Sequence, residues 1–162
     1  TERIARPTLP LSQARALASR LRGCGGTDIS DGLGLNIANM CARSRVSAVI
    51  DYDSLPVERE AARIAEDCSL DPKSFALILG GDLQFVVTCP PSHDILLHSA
   101  GFVHIGKIVN SHSSRSTVSI TTPDISEGVT LPDDLGHKDG RRQTFVEEIW
   151  QLLNQTERLL HG

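Results

Sequence analysis

A cluster of glycines around one cysteine, Gly23-Cys24-Gly25-Gly26, followed at once by Thr27-Asp28-Ile29-Ser30-Asp31-Gly32-Leu33, constrains the fold of this chain more than any other stretch. The glycines break the helical pattern before them, and Leu33, Ile37, Met40 and Cys41 then recur at helical spacing. This pattern predicts a turn that delivers two carboxylates and a hydroxyl to the start of a helix running from about Asp31 to Arg43. Such a helix start carries unpaired backbone N–H groups and the positive end of the helix dipole. Two uses of these oxygens are open. Ser30 or Asp31 caps the helix, as both residue types commonly do. Alternatively, Asp28, Ser30 and Asp31 serve Mg²⁺ and the phosphates it carries, because hard cations take oxygen ligands and helix starts accept anions.

The remaining chain alternates between two periodicities. Ser12 caps a helix whose inner stripe is Ala14, Leu17, Ala18 and Leu21, ending at Gly23. Val46 to Tyr52 is β-branched and alternating enough to form a strand. Pro56 begins a helix carrying Val57, Ala61, Ile64, Ala65 and Cys68. Asp71-Pro72 is a turn, with Ser74 opening a short helix into Leu79. Gly80-Gly81-Asp82 breaks that helix, and Leu83 to Cys89 follows as a buried strand. Pro90-Pro91-Ser92 stops it and caps a helix from about His93 to Ala100, closed by Gly101. Phe102 to Val109 and Thr117 to Thr121 are two strands joined by the polar loop 110–116, which supplies a hairpin. Residues 122–140 are irregular, and a final helix over about 142–160 has the stripe Phe145, Ile149, Leu152, Leu153, Thr156 and Leu160. No internal repeat is present. Interleaved helices and strands indicate a layered α/β or α+β domain.

Length and charge narrow the functional classes. A chain of 162 residues suits one domain with a sizeable core. A net charge of −4 and an aromatic content of 4% give no basis for nucleic-acid binding, which needs a basic face and stacking platforms. The longest apolar runs, such as residues 75–79, are too short to span a bilayer. No charged-then-apolar leader is visible at the start, so the expected location is cytoplasmic. Cys24, Cys41, Cys68 and Cys89 are scattered and form no Cys-x-x-Cys pair, which argues against a zinc ribbon or redox motif and for reduced thiols. The chain starts with Thr1, and Arg6-Pro7 and Leu9-Pro10 form an extended linker.

The order of four segments adds a further expectation. Asp28-Ile29-Ser30-Asp31-Gly32-Leu33 is followed by Ser44 to Asp51, by Leu55-Pro56, and by Ala76-Leu77-Ile78-Leu79-Gly80-Gly81-Asp82. This order resembles the C-terminal domain of the thiamine-monophosphate kinases, within the ATP-binding superfamily that includes aminoimidazole ribonucleotide synthetase, selenophosphate synthetase and a hydrogenase-maturation protein. The resemblance covers roughly residues 6–109, and the stretch 107–162 follows it only loosely. It implies an α/β fold with a mixed β-sheet layered with helices. It also implies residues 1–10 as a linker from a preceding N-terminal domain and 11–162 as a single C-terminal domain. The complete protein would be a homodimer using ATP and Mg²⁺ to convert thiamine phosphate to thiamine diphosphate. Asp28 and Asp31 would then be Mg²⁺ ligands and Ser30 a contact to the nucleotide phosphates. Two aspartates are too few for tight multi-ion binding, so further acids would come from the preceding domain.

Gly80-Gly81-Asp82-Leu83-Gln84 resembles the family's Gly-Gly-Glu-Asp-Tyr-Glu-Leu motif at the thiamine-phosphate site, which places Asp82 and Gln84 toward the acceptor. It departs from that motif by lacking the first Glu and by having Leu83 and Gln84 where Tyr and the second Glu stand. Those residues are the natural partners of a cationic thiazolium, so a different acceptor is the main alternative, and a non-catalytic binding module is another. Asn36 stands where the family carries Asp, and accepts a hydrogen bond without supplying charge. His93, His98 and His104 are spaced so that they do not share one helical face. Lys138, Arg141 and Arg142 form a solvated basic turn or a phosphate contact. Cys41 and Cys68 sit on apolar faces as core residues, and Ser30 has no nearby His to make it a nucleophile.

Overall fold

Helical spacing of apolar residues from Leu33 to Cys41 and β-branched residues from Val46 to Ile50 create the two elements around which the core forms. A computed structural model describes residues 11–81, 84–111, 116–122 and 125–131. The helices are α1 (Leu11–Ala18), α2 (Leu33–Ser44), α3 (Arg59–Asp67), α4 (Pro72–Ile78) and α5 (Asp94–Ser99). The strands are β1 (Gly25–Asp28), β2 (Val46–Asp51), β3 (Phe85–Thr88), β4 (Gly106–Asn110), β5 (Val118–Thr122) and β6 (Ile125–Leu131). Single 3-10 turns at Tyr52–Ser54 and Pro91–His93 follow β2 and precede α5.

The strands make two sheets. One has four strands in the order β4-β2-β5-β6, and the other pairs β1 with β3. β2 runs antiparallel to β4 and parallel to β5, while β6 returns antiparallel to β5, so the larger sheet is mixed. The small ladder is antiparallel, from Gly25 opposite Thr88 to Asp28 opposite Phe85. The α/β expectation of a mixed sheet layered with helices is met.

α2 lays Ile37, Ala38 and Cys41 against Ala48 and Ile50 of β2, Leu77 of α4, and Val118 and Ile120 of β5. Each large aliphatic buried this way contributes roughly 1.5–3 kcal/mol. Cys41 is fully buried, and that burial pushes its thiol above the ordinary value, which keeps it protonated and inert. Polar groups in the core are paired. Ser47 Oγ accepts from the Thr117 backbone N–H at 3.1 Å, linking β2 to the start of β5. The Tyr52 hydroxyl donates to Asp71 Oδ1 and lies 2.9 Å from Ser74 Oγ, tying the turn after β2 to the start of α4. Burial and the adjacent Asp71 carboxylate raise the Tyr52 phenol far above its usual range.

Several expectations are corrected. The first helix stops at Ala18 rather than reaching Gly23, which takes a positive φ of 68°. Asp71-Pro72 is the start of α4 rather than a separate turn. The Asp71 carboxylate accepts from the N–H groups of Lys73 and Ser74 at 3.2 and 3.1 Å, and Pro72 fills the first helical position, where no N–H is needed. The two strands flanking the loop 110–116 do not form a hairpin, because β2 lies between them. The hairpin is β5–β6 instead, and β6 occupies part of the stretch read as irregular. The linker 1–10 and the helix over 142–160 lie outside the described residues. Among the described residues, no helix is long and apolar enough to cross a membrane.

Candidate functional site

Pairing of β1 with β3 brings the acidic segment and the glycine-rich turn together across more than fifty residues of sequence. Past the end of the ladder, the Ile29 N–H donates to the Gln84 carbonyl at 2.9 Å. The Gly81 N–H donates to the Ser30 carbonyl at the same distance. Two glycines make this approach possible. A Cβ on Gly80 would lie 2.4 Å from the Ser30 carbonyl oxygen, and one on Gly32 would lie 2.4 Å from the Ile78 carbonyl oxygen. Gly32 also holds a φ of 106°, which L side chains rarely adopt. The two backbones therefore interlock with no room for side chains between them.

The oxygens fall as follows. Asp28 ends β1, is half-buried, and its Oδ1 accepts from the Thr27 hydroxyl at 3.2 Å. Ser30 is half-buried and Asp31 is exposed, both on the link between β1 and α2. Neither is a helix cap: α2 begins at Leu33, Gly32 occupies the capping position, and no side chain bonds to the first-turn N–H groups there. The capping use expected for Ser30 or Asp31 is thereby excluded. Asn36, buried to 6% exposure one turn into α2, accepts from the Asp31 backbone N–H at 3.2 Å. This bond fixes the backbone from which the Asp31 carboxylate projects. The value of Asn36 as a positioning residue was not evident from sequence, where it stood out only as the loss of a charge.

Gln84 stands directly before β3 and lines a cavity of about 360 Å³, with Ile29, Leu33, Leu77 and Val86 in the same wall. Asp82 lies outside the described residues, as do Lys138, Arg141 and Arg142. His98 and His104 are exposed, whereas His93 is half-buried with Nδ1 3.5 Å from Cys24 Sγ. Among the described residues, no group of three or more His, Cys, Asp or Glu side chains is placed to hold a metal. Asp28, Ser30 and Asp31 lie within one four-residue stretch, and hard oxygen donors of this kind suit a cation that brings its own phosphate and water ligands.

Comparison with known proteins places this arrangement in context. No protein-family model matches the chain. It is 31% identical over 114 residues to a thiamine-monophosphate kinase of Methanopyrus kandleri, covering 70% of this chain and 36% of that protein. A solved structure of AaThiL complexed with AMPPCP and TMP superposes with a TM-score of 0.60 at 26% identity, over 80% of this chain and 40% of that one. A hydrogenase maturation protein in complex with ATP gives a TM-score of 0.60 at 14% identity, over 75% of this chain and 39% of that one, which shows a shared fold alone. The resemblance to the thiamine-monophosphate kinases is therefore present in sequence and in fold, and the architecture is of the aminoimidazole ribonucleotide synthetase type. The chain spans about a third of the length of the curated relatives it matches, 36% and 34%.

Proposed function

We propose that this chain forms the C-terminal part of an ATP- and Mg²⁺-dependent phosphotransferase that passes the γ-phosphoryl of ATP to thiamine monophosphate, giving thiamine diphosphate and ADP. The observation that carries this reading is the interlock of the acidic link with the glycine turn. It joins the backbone that carries Asp28, Ser30 and Asp31 to the backbone that carries Gly81 and Gln84, and the acidic link supplies no cap to the helix that follows. The similarity to a thiamine-monophosphate kinase and to a structure complexed with AMPPCP and TMP supports the same assignment.

Phosphoryl transfer needs alignment and charge neutralisation more than covalent chemistry. Mg²⁺ carried by the nucleotide would supply the charge neutralisation. Asp28 and Asp31 would hold that cation from the protein side, and the Ser30 hydroxyl would donate to a phosphate oxygen. Asn36 keeps the Asp31 backbone in place, while Gln84 and Asp82 face the acceptor. The remaining acids come from a preceding domain, and the complete protein acts as a cytoplasmic homodimer.

ATP turnover by the complete polypeptide, with and without thiamine monophosphate, tests the reading. Asp28→Asn is expected to lower turnover by about 100-fold or more while leaving Tm unchanged. Unaltered turnover removes Asp28 from the mechanism. Stimulation by other phosphorylated or carboxylated acceptors, but not by thiamine monophosphate, assigns a different substrate. Absence of both ATP binding and turnover leaves a non-catalytic module.

A further inference from the structure

The register of the small ladder has a consequence at its end away from Asp28. Gly25 faces Thr88 and Gly26 faces Val87, so continuing this register one residue beyond the ladder sets Cys24 opposite Cys89. The approach continues past them, since a Cβ on Gly23 would touch Pro90 Cγ at 3.9 Å. Ile29 bonding to Gln84 marks that position as hydrogen-bonded, and the alternation of an antiparallel ladder then makes Cys24–Cys89 a non-hydrogen-bonded position. Directly opposed residues of this kind have Cα atoms about 4.5 Å apart and side chains on one face, within the range a disulfide spans. Both cysteines are free and half-buried, and Cys24 Sγ lies 3.5 Å from His93 Nδ1.

We infer that Cys24 and Cys89 are a redox-active dithiol that closes into a cross-strand disulfide, with Cys24 as the attacking thiol and His93 accepting its proton. The oxidant is a small-molecule disulfide of the glutathione type. The Cys24 thiol proton passes to His93 Nδ1, and the thiolate attacks one sulfur of the external disulfide. That S–S bond breaks and releases one small thiol, leaving a mixed disulfide on Cys24. The Cys89 thiol then loses its proton to solvent, its sulfur attacks the Cys24 sulfur and forms the Cys24–Cys89 bond, and the second small thiolate is expelled and takes up a proton. The cysteines lose two protons and two electrons, and the external disulfide gains both as it becomes two small thiols. Burial, first, and then the nearby Cys24 and Asp94 raise the Cys89 thiol above its ordinary value, which suits the later, resolving position. The bond would tie together two strands whose ladder has only four residue pairs and whose other end carries Asp28.

The test uses the reduced chain treated with oxidised glutathione, followed by peptide mass analysis and hydrogen exchange. The expected product is a peptide linking Cys24 to Cys89, with two of the 4 cysteines lost to thiol reagents. Amide exchange in β1 and β3 should slow by about tenfold. Cys89→Ser should retain glutathione on Cys24, whereas Cys24→Ser should leave Cys89 unmodified on the same timescale. His93→Ala should slow capture about tenfold at neutral pH and change the shape of the pH–rate profile. Glutathione carried only by the exposed Cys68, a different linked pair, or a bond between two copies overturns the proposal, and an unmoved profile in His93→Ala overturns the part given to that histidine.

Discussion

The four-stranded sheet and the two-stranded ladder use the same backbone hydrogen bonds in different surroundings. In the larger sheet, Ile50 and Val118 are almost completely buried beside each other's strands, and the buried hydroxyl of Ser47 has a partner. In the smaller one, Gly25 and Gly26 contribute no side chains, and its outer neighbours are exposed or half-buried carboxylates and thiols. Apolar burial holds the first region, and close backbone approach shapes the second. Carboxylate and thiol side chains border the second region, outside the apolar core.

Four substitutions sharpen or break this contrast. Ile50→Ala, at 2% exposure, should cost about 4 kcal/mol of unfolding free energy in urea titrations, by deleting methyl groups and leaving a cavity at the junction of α2 and β2. Gly80→Ala should cost about 2 kcal/mol, because its Cβ must displace the Ser30 carbonyl. Its signature is a selective rise in amide exchange at residues 29–32 and 78–81. If that rise extends equally over β2 and β5, the two regions unfold as one unit and the contrast fails. Ser74→Ala should cost about 1–2 kcal/mol in thermal denaturation, since it deletes a hydroxyl beside the Tyr52–Asp71 pair in a fully buried position. The smallest effect is at Asp51, whose carboxyl is held below its ordinary value of 3.8, chiefly by the Ser54 hydroxyl. A depressed folded pKa adds stability that is present above 3.8 and lost as the pH falls through the lower folded value. Asp51→Asn should therefore slightly lower stability at neutral pH and flatten its decline in strong acid, measured as Tm against pH.

Much of the local structure was legible beforehand. The stripe Leu33, Ile37 and Cys41 announced α2, and the β-branched run from Val46 announced β2, each to within two residues at its ends. The acidic segment stood out by its residue types, and its oxygens follow a strand and precede a glycine cap instead of sitting on the helix itself. The error at residues 110–116 has a simple cause. Two strands joined by a short polar loop look like a hairpin, but the β2 edge was open and accepted β4 on one side and β5 on the other.

Residue order alone determined most of the helices and strands, because periodicity and capping act within a window of a few positions. Three-dimensional packing decided that Gly80 meets Ser30, that Asn36 holds Asp31, and that Gly25 faces Thr88. Each of these is a choice of partner between distant segments. Such choices follow from satisfying every backbone hydrogen bond while burying the apolar faces of the whole chain at once, and no short stretch of residues contains that condition.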